Sequence, residues 1–195
     1  MYGSGIDLNK GVAVPSGNLI RWSGLAAMVG GALWVILFVL FASRSSGPGL
    51  TPPYRSFEGL SLPILLSLLL IVSGFVGVHI WRREVYGRFG TVGFVLAMVG
   101  AIVSVVSVGS WPLILIGSYA LMIGSLLVGA ATLVTNALPR WGPIALIVGS
   151  VAFLLFNTET AAAWFALPYG VAWAAVGYLL WSGEHAATEQ PSRVR

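Results

Sequence analysis

The chain has 195 residues, 57% of them hydrophobic and only 8% charged, with a net charge of +4 and no cysteine. So few charges cannot cover a water-soluble surface, and the missing cysteine excludes a thiol nucleophile, a disulfide and a Cys-ligated metal. Nor is the positive balance a nucleic-acid footprint, because the basic residues sit at the ends of apolar runs, where the insertion rule and anionic headgroups account for them.

A membrane span needs about 20 apolar residues, since a helix rises about 1.5 Å per residue against a hydrocarbon layer of about 30 Å. No charge falls between Arg21 and Arg44, Glu58 and Arg82, Arg140 and Glu159, or Glu159 and Glu184, and each of these runs fits one span. The run from Phe89 to Pro139 is too long for one and is broken by Val108-Gly109-Ser110-Trp111-Pro112, so it reads as two. The spans predicted in chain order are 19–42, 60–81, 89–108, 112–136, 141–156 and 161–182, with tails 1–18 and 183–195. The fold expected is all-α, a six-helix transmembrane bundle of three hairpins. The weakly charged N-terminal tail ahead of a long apolar stretch does not read as an ordinary signal peptide.

Short loops rich in Lys and Arg stay cytoplasmic. With the N-terminus inside, Lys10, Arg21, Arg82, Arg83, Arg88, Arg140, Arg193 and Arg195 are all inside, leaving Arg44 and Arg55 outside. Both termini are therefore expected in the cytoplasm. A bacterial cytoplasmic membrane is the expected location, and the lipid bilayer is the first partner.

Lipid supplies no hydrophobic drive between helices, so small residues must allow close backbone approach. Glycines recur at a spacing of seven: Gly24 and Gly31, Gly93 and Gly100, Gly117 and Gly124, Gly142 and Gly149, Gly170 and Gly177, with Ser67 and Gly74 at the same interval in the second span. That period keeps them on one seam per helix. The opening Arg21-Trp22-Ser-Gly-Leu-Ala-Ala-Met-Val-Gly-Gly-Ala-Leu-Trp34 resembles the first helix of small multi-pass proteins of actinobacteria and similar bacteria. That resemblance covers the first span and implies a bacterial source, with no activity attached.

Chemistry inside the membrane usually needs an ionisable group there. Here Asp7, Glu58, Glu84, Glu159, Glu184 and Glu189 all lie in tails, loops or helix ends, and His79 lies near an interface as a hydrogen-bonding residue or a base. The chain carries no His-Glu-x-x-His and no Gly-x-Ser-x-Gly, so catalysis is disfavoured, no catalytic or metal residue is assigned, and no cofactor is required. In the outer half of the spans, Trp34, Phe38, Tyr119, Trp164, Tyr169 and Trp173 form an aromatic layer beside Pro168, which is expected to bend the sixth helix. The layer either fills gaps between helices or holds a flat apolar ligand such as a quinone, isoprenoid or pigment. Above it, Arg44, Arg55, Glu58 and Glu159 form a candidate outer polar cluster.

The function expected is non-enzymatic: an accessory subunit of a membrane complex, partnered by other membrane subunits, or a holder of an apolar ligand. The alternatives are a small transporter or channel lined by Ser104, Ser107, Ser118, Ser125, Thr132 and Asn136, and a lipid-processing enzyme using Arg55, Glu58 or Glu159.

Overall fold

The structure is a computed structural model that describes residues 16–45, 61–107, 110–156 and 161–183. Among these residues it is entirely helical. The helices are α1 (Ser16–Ser45), α2 (Ser61–Arg82), α3 (Gly87–Val106), α4 (Trp111–Val134), α5 (Trp141–Leu154) and α6 (Leu167–Ser182), with a 3₁₀ segment, Ala161–Ala166, leading into α6. Five of them are long and apolar enough to cross a membrane, the fifth by including the last part of the 3₁₀ segment, whereas α5 has only 14 residues. At about 1.5 Å per residue α5 reaches about 21 Å, short of the hydrocarbon layer.

Local chemistry sets the helix ends. Asn136 adopts a left-handed conformation (φ 49°) after α4. Its N–H then bonds to Leu133 O at 3.3 Å and the Ala137 N–H to Thr132 O at 3.0 Å, which ties down two terminal carbonyls. Pro168 sits in the first turn of α6, where its missing N–H costs nothing, so it starts an α-helix instead of bending one. The expected single helix over 161–182 is accordingly a tight 3₁₀ segment followed by a straight α-helix.

Going round the bundle, α2 packs on α1, α1 on α6, α6 on α5, α5 on α4 and α4 on α3, while α3 and α2 meet only sparsely. The glycine seams make the two closest contacts. A Cβ on Gly24 would lie 2.7 Å from Gly177 O, and one on Gly31 would lie 2.4 Å from Gly170 O; on the other pair, Gly93 faces Gly124 O at 2.9 Å and Gly100 faces Gly117 O at 2.5 Å. Gly24 meets Gly177 seven residues before Gly31 meets Gly170, so α1 and α6 run antiparallel and the start of α1 lies beside the end of α6. The same reasoning makes α3 and α4 antiparallel.

The remaining seam residues are less symmetric. Gly149 fits against Pro168 and Tyr169 of α6, Gly142 meets only the tip of Leu179, and Gly74 of α2 lies against Ala27 and Trp173. Helix α1 also has a second small face, of Ser23 and Gly30, that the glycine pairs miss. There Ser67 donates a buried 2.7 Å hydrogen bond to Gly30 O, and Gly77 lies over Ser23.

Candidate intramembrane binding site

Aromatic rings fill the space between α1, α5 and α6. Trp34, Phe38, Tyr169 and Trp173 are each at most 4% exposed. Trp34 lies 4.6 Å from Phe38 and 5.7 Å from Tyr169, centroid to centroid, and Tyr169 lies 6.4 Å from Trp173. These four expected layer residues come together. Tyr119 and Trp164 do not, being 50% and 44% exposed on the outside of the bundle.

Phe153 of α5 and Phe156, two residues past its end, complete the cluster. Phe153 stacks on Phe156 at 5.1 Å and on Tyr169 at 5.6 Å, and Phe38 meets Phe156 edge-on at 5.4 Å. On the far side Phe75 of α2 packs against Trp173 at 4.1 Å. The Trp34 indole donates a buried 3.0 Å hydrogen bond to Ala166 O, where the 3₁₀ segment passes into α6, and so fixes α1 against that junction.

The rings surround a group of polar atoms with no hydrogen-bond partner. Tyr169 OH, Trp173 Nε1, Ser125 Oγ and Ser150 Oγ are all unpaired, and all four residues are 0% exposed. The Tyr169 hydroxyl is directed toward Ser125 and Trp173, but falls short of hydrogen-bonding geometry with both. Gly129 of α4 packs on Pro143, Leu146 and Ile147 of α5. One turn further along this antiparallel pair, Ser125 comes level with Ser150. A buried polar group left unpaired costs about 1–3 kcal/mol, and hydrocarbon offers no water to relieve it. Small rotations would let these groups bond one another, the Trp173 indole N–H donating to the Tyr169 hydroxyl and that hydroxyl to Ser125. The indole N–H can only donate, so any occupant that took it up would present an acceptor, which the hydroxyls of Ser125, Ser150 and Tyr169 can share.

Two of the other buried polar side chains are satisfied within their own helices. Ser104 and Thr132, candidates for a polar path, bond to carbonyls of their own helices, Gly100 O at 2.9 Å and Val128 O at 2.8 Å. Ser107 is buried, Ser118 half-buried and Asn136 exposed at the end of α4. His79 hydrogen-bonds to Tyr86 OH and stacks on Phe94 at 4.0 Å, as an interfacial hydrogen-bonding residue would. Burial in the turn between α2 and α3 pushes the Tyr86 phenol up to about 12. Of the outer polar cluster, Arg44 falls in the last turn of α1, and Arg55, Glu58 and Glu159 lie outside the described residues. No group of three or more His, Asp or Glu side chains that could hold a metal occurs among the described residues.

Sequence reasoning missed Phe75, Phe153, Phe156 and Ser150. Ser150 carried only a partial signal: like the buried Ser125 it directly follows a seam glycine, but so does the half-buried Ser118.

Apolar length and an all-helical architecture define a multi-pass membrane bundle. No known family model, curated protein or solved structure matches the chain.

Proposed function

We propose that this is a non-enzymatic multi-pass protein of the bacterial cytoplasmic membrane, with both termini inside, that acts by holding an apolar ligand in the centre of its bundle. The observation carrying this reading is the set of four unpaired polar atoms on Ser125, Ser150, Tyr169 and Trp173, enclosed by aromatic rings. A flat apolar molecule with a carbonyl at one end matches both surfaces: the ring faces take its body and the donors take its oxygen. Entry from the lipid is favoured on the side where α2 and α3 pack sparsely, next to Phe75 and Trp173. The orientation is supported by arginines: Arg21, Arg82, Arg83, Arg88 and Arg140 belong to helix ends on one face, with Arg44 at the other.

The test is gentle extraction from the native membrane, followed by solvent extraction and mass spectrometry of what remains bound. A carbonyl-bearing apolar molecule is expected in stoichiometric amount, and folded Tyr169→Phe and Trp173→Phe variants should lose it. Wild-type protein that carries only bulk lipid would overturn the reading.

A second reading, accessory subunit of a larger membrane complex, is favoured by α3. Its Val92, Val95, Val99, Ile102 and Val106 are all about half exposed or more, and α3 packs closely on α4 alone, which leaves much of its surface to meet a partner helix. A stoichiometric protein in the same preparation, lost when Val99 and Ile102 are changed together to Ala, would support it.

A further inference from the structure

A second site lies at the arginine-rich face, away from the aromatic centre. A cleft of about 280 Å³ opens between the start of α1 and the end of α6, lined by Asn18, Arg21, Trp22, Leu25 and Trp181. We infer that this cleft holds the phosphate of an anionic phospholipid from the leaflet on that face.

The argument begins with the glycine seam. A Cβ on Gly24 would lie 2.6 Å from the Trp181 backbone N, so the two helices touch there and hold Trp181 beside the first turns of α1. Asn18 and Arg21 are three residues apart, Arg21 and Leu25 four, so all three project to one side of α1. The cleft therefore has a rigid apolar wall, a cation and an amide.

Among the described residues Arg21 forms neither an ion pair nor a hydrogen bond. Its planar guanidinium offers paired N–H donors that match two phosphate oxygens, and Asn18 adds an amide donor. Trp22 is 69% exposed and Trp181 41%, large rings at the end of the spans where indoles settle among headgroups and glycerol. Leu25, deeper in α1, starts the lipid-facing path along which acyl chains would run. Arg82, Arg83, Arg88 and Arg140 share the face and raise the local concentration of anionic lipid. Only Arg21 lies in the cleft.

The full-length protein, exchanged into nanodiscs of phosphatidylglycerol and phosphatidylethanolamine, can be released and weighed by native mass spectrometry. Wild type should retain phosphatidylglycerol preferentially. A charge-assisted hydrogen bond contributes about 1.5–3 kcal/mol, so Arg21→Gln should reduce that preference at least about tenfold. Arg21→Lys, which keeps the charge without the fork, should fall between, and Arg83→Gln on the exposed turn should match wild type. Equal losses in Arg21→Gln and Arg83→Gln would show diffuse charge and overturn the assignment, as would wild type without preference. Displacement of the lipid by millimolar inorganic phosphate would identify a free-anion site instead, and would also overturn it.

Discussion

The glycine seams and the aromatic centre solve the same packing problem in opposite ways. Along α1/α6 and α3/α4 the backbones touch and side chains are missing. Between α1 and α5, which meet only through side chains, indole and phenyl rings fill the gap. A seam has no slack because its neighbours are backbone atoms. The centre is dense with carbon but leaves four polar atoms unpaired. Addition should be forbidden at the seams, whereas removal of one of those unpaired polar atoms should be tolerated in the centre.

The largest effect is expected at the seams. Gly100→Ile would put a side chain where Leu121 N lies 2.3 Å from the first added carbon, and Gly31→Ile meets Ala174 N at 2.5 Å. Each should destabilise the bundle by about 3 kcal/mol or more, since two helices must separate. Denaturation in mixed micelles measures this, and wild-type midpoints in both variants would break the comparison. Gly17, with nothing within 4 Å, is the control, and Gly17→Ala should be silent.

Next comes Trp34→Phe, which keeps a ring but loses the bond to Ala166 O and should cost about 1–2 kcal/mol in the same assay. Tyr169→Phe goes the other way. It deletes an unpaired hydroxyl, so in ligand-free protein it should be neutral or stabilising by about 1 kcal/mol, while abolishing capture of the carbonyl ligand. A clear loss of ligand-free stability would mean that the hydroxyl already has a partner.

A smaller effect depends on pH. Burial holds the Tyr86 phenol neutral up to about 12, above its ordinary value of 10.0. The raised value means its contribution is fully present below pH 10 and is lost as pH rises from there through about 12. Phenolate absorbance followed alongside the unfolding midpoint should show this, and Tyr86→Phe should flatten the midpoint across that window. The smallest effect belongs to Tyr119→Ala on the lipid side, expected within about 0.5 kcal/mol of wild type.

These contrasts also mark how far the chain could be read directly. Trp34, Phe38, Tyr169 and Trp173 fall in the same outer half of the spans, which residue counting gives, and they meet. Tyr119 and Trp164 fall in that half and face outward, because counting residues gives height in the membrane and not direction around the helix. A water-exposed helix would reveal its direction through a polar stripe, but here lipid and core are both apolar. The seam glycines were legible because their spacing of seven matches the period of helix contact. Gly30 and Gly77 were not, since on that second face of α1 the residue seven before Gly30 is Ser23, not another glycine.

What the amino-acid order determined by itself was the solvent and the approximate spans: charge-free runs of span length bounded by charged residues suit a lipid layer, and small residues every seventh position favour close backbone contact. Tertiary structure alone decided which helices pair, which aromatics turn inward and which hydroxyls remain unpaired. Those outcomes depend on the angle of each helix about its own axis, which apolar composition on every side leaves open until a neighbour packs against it.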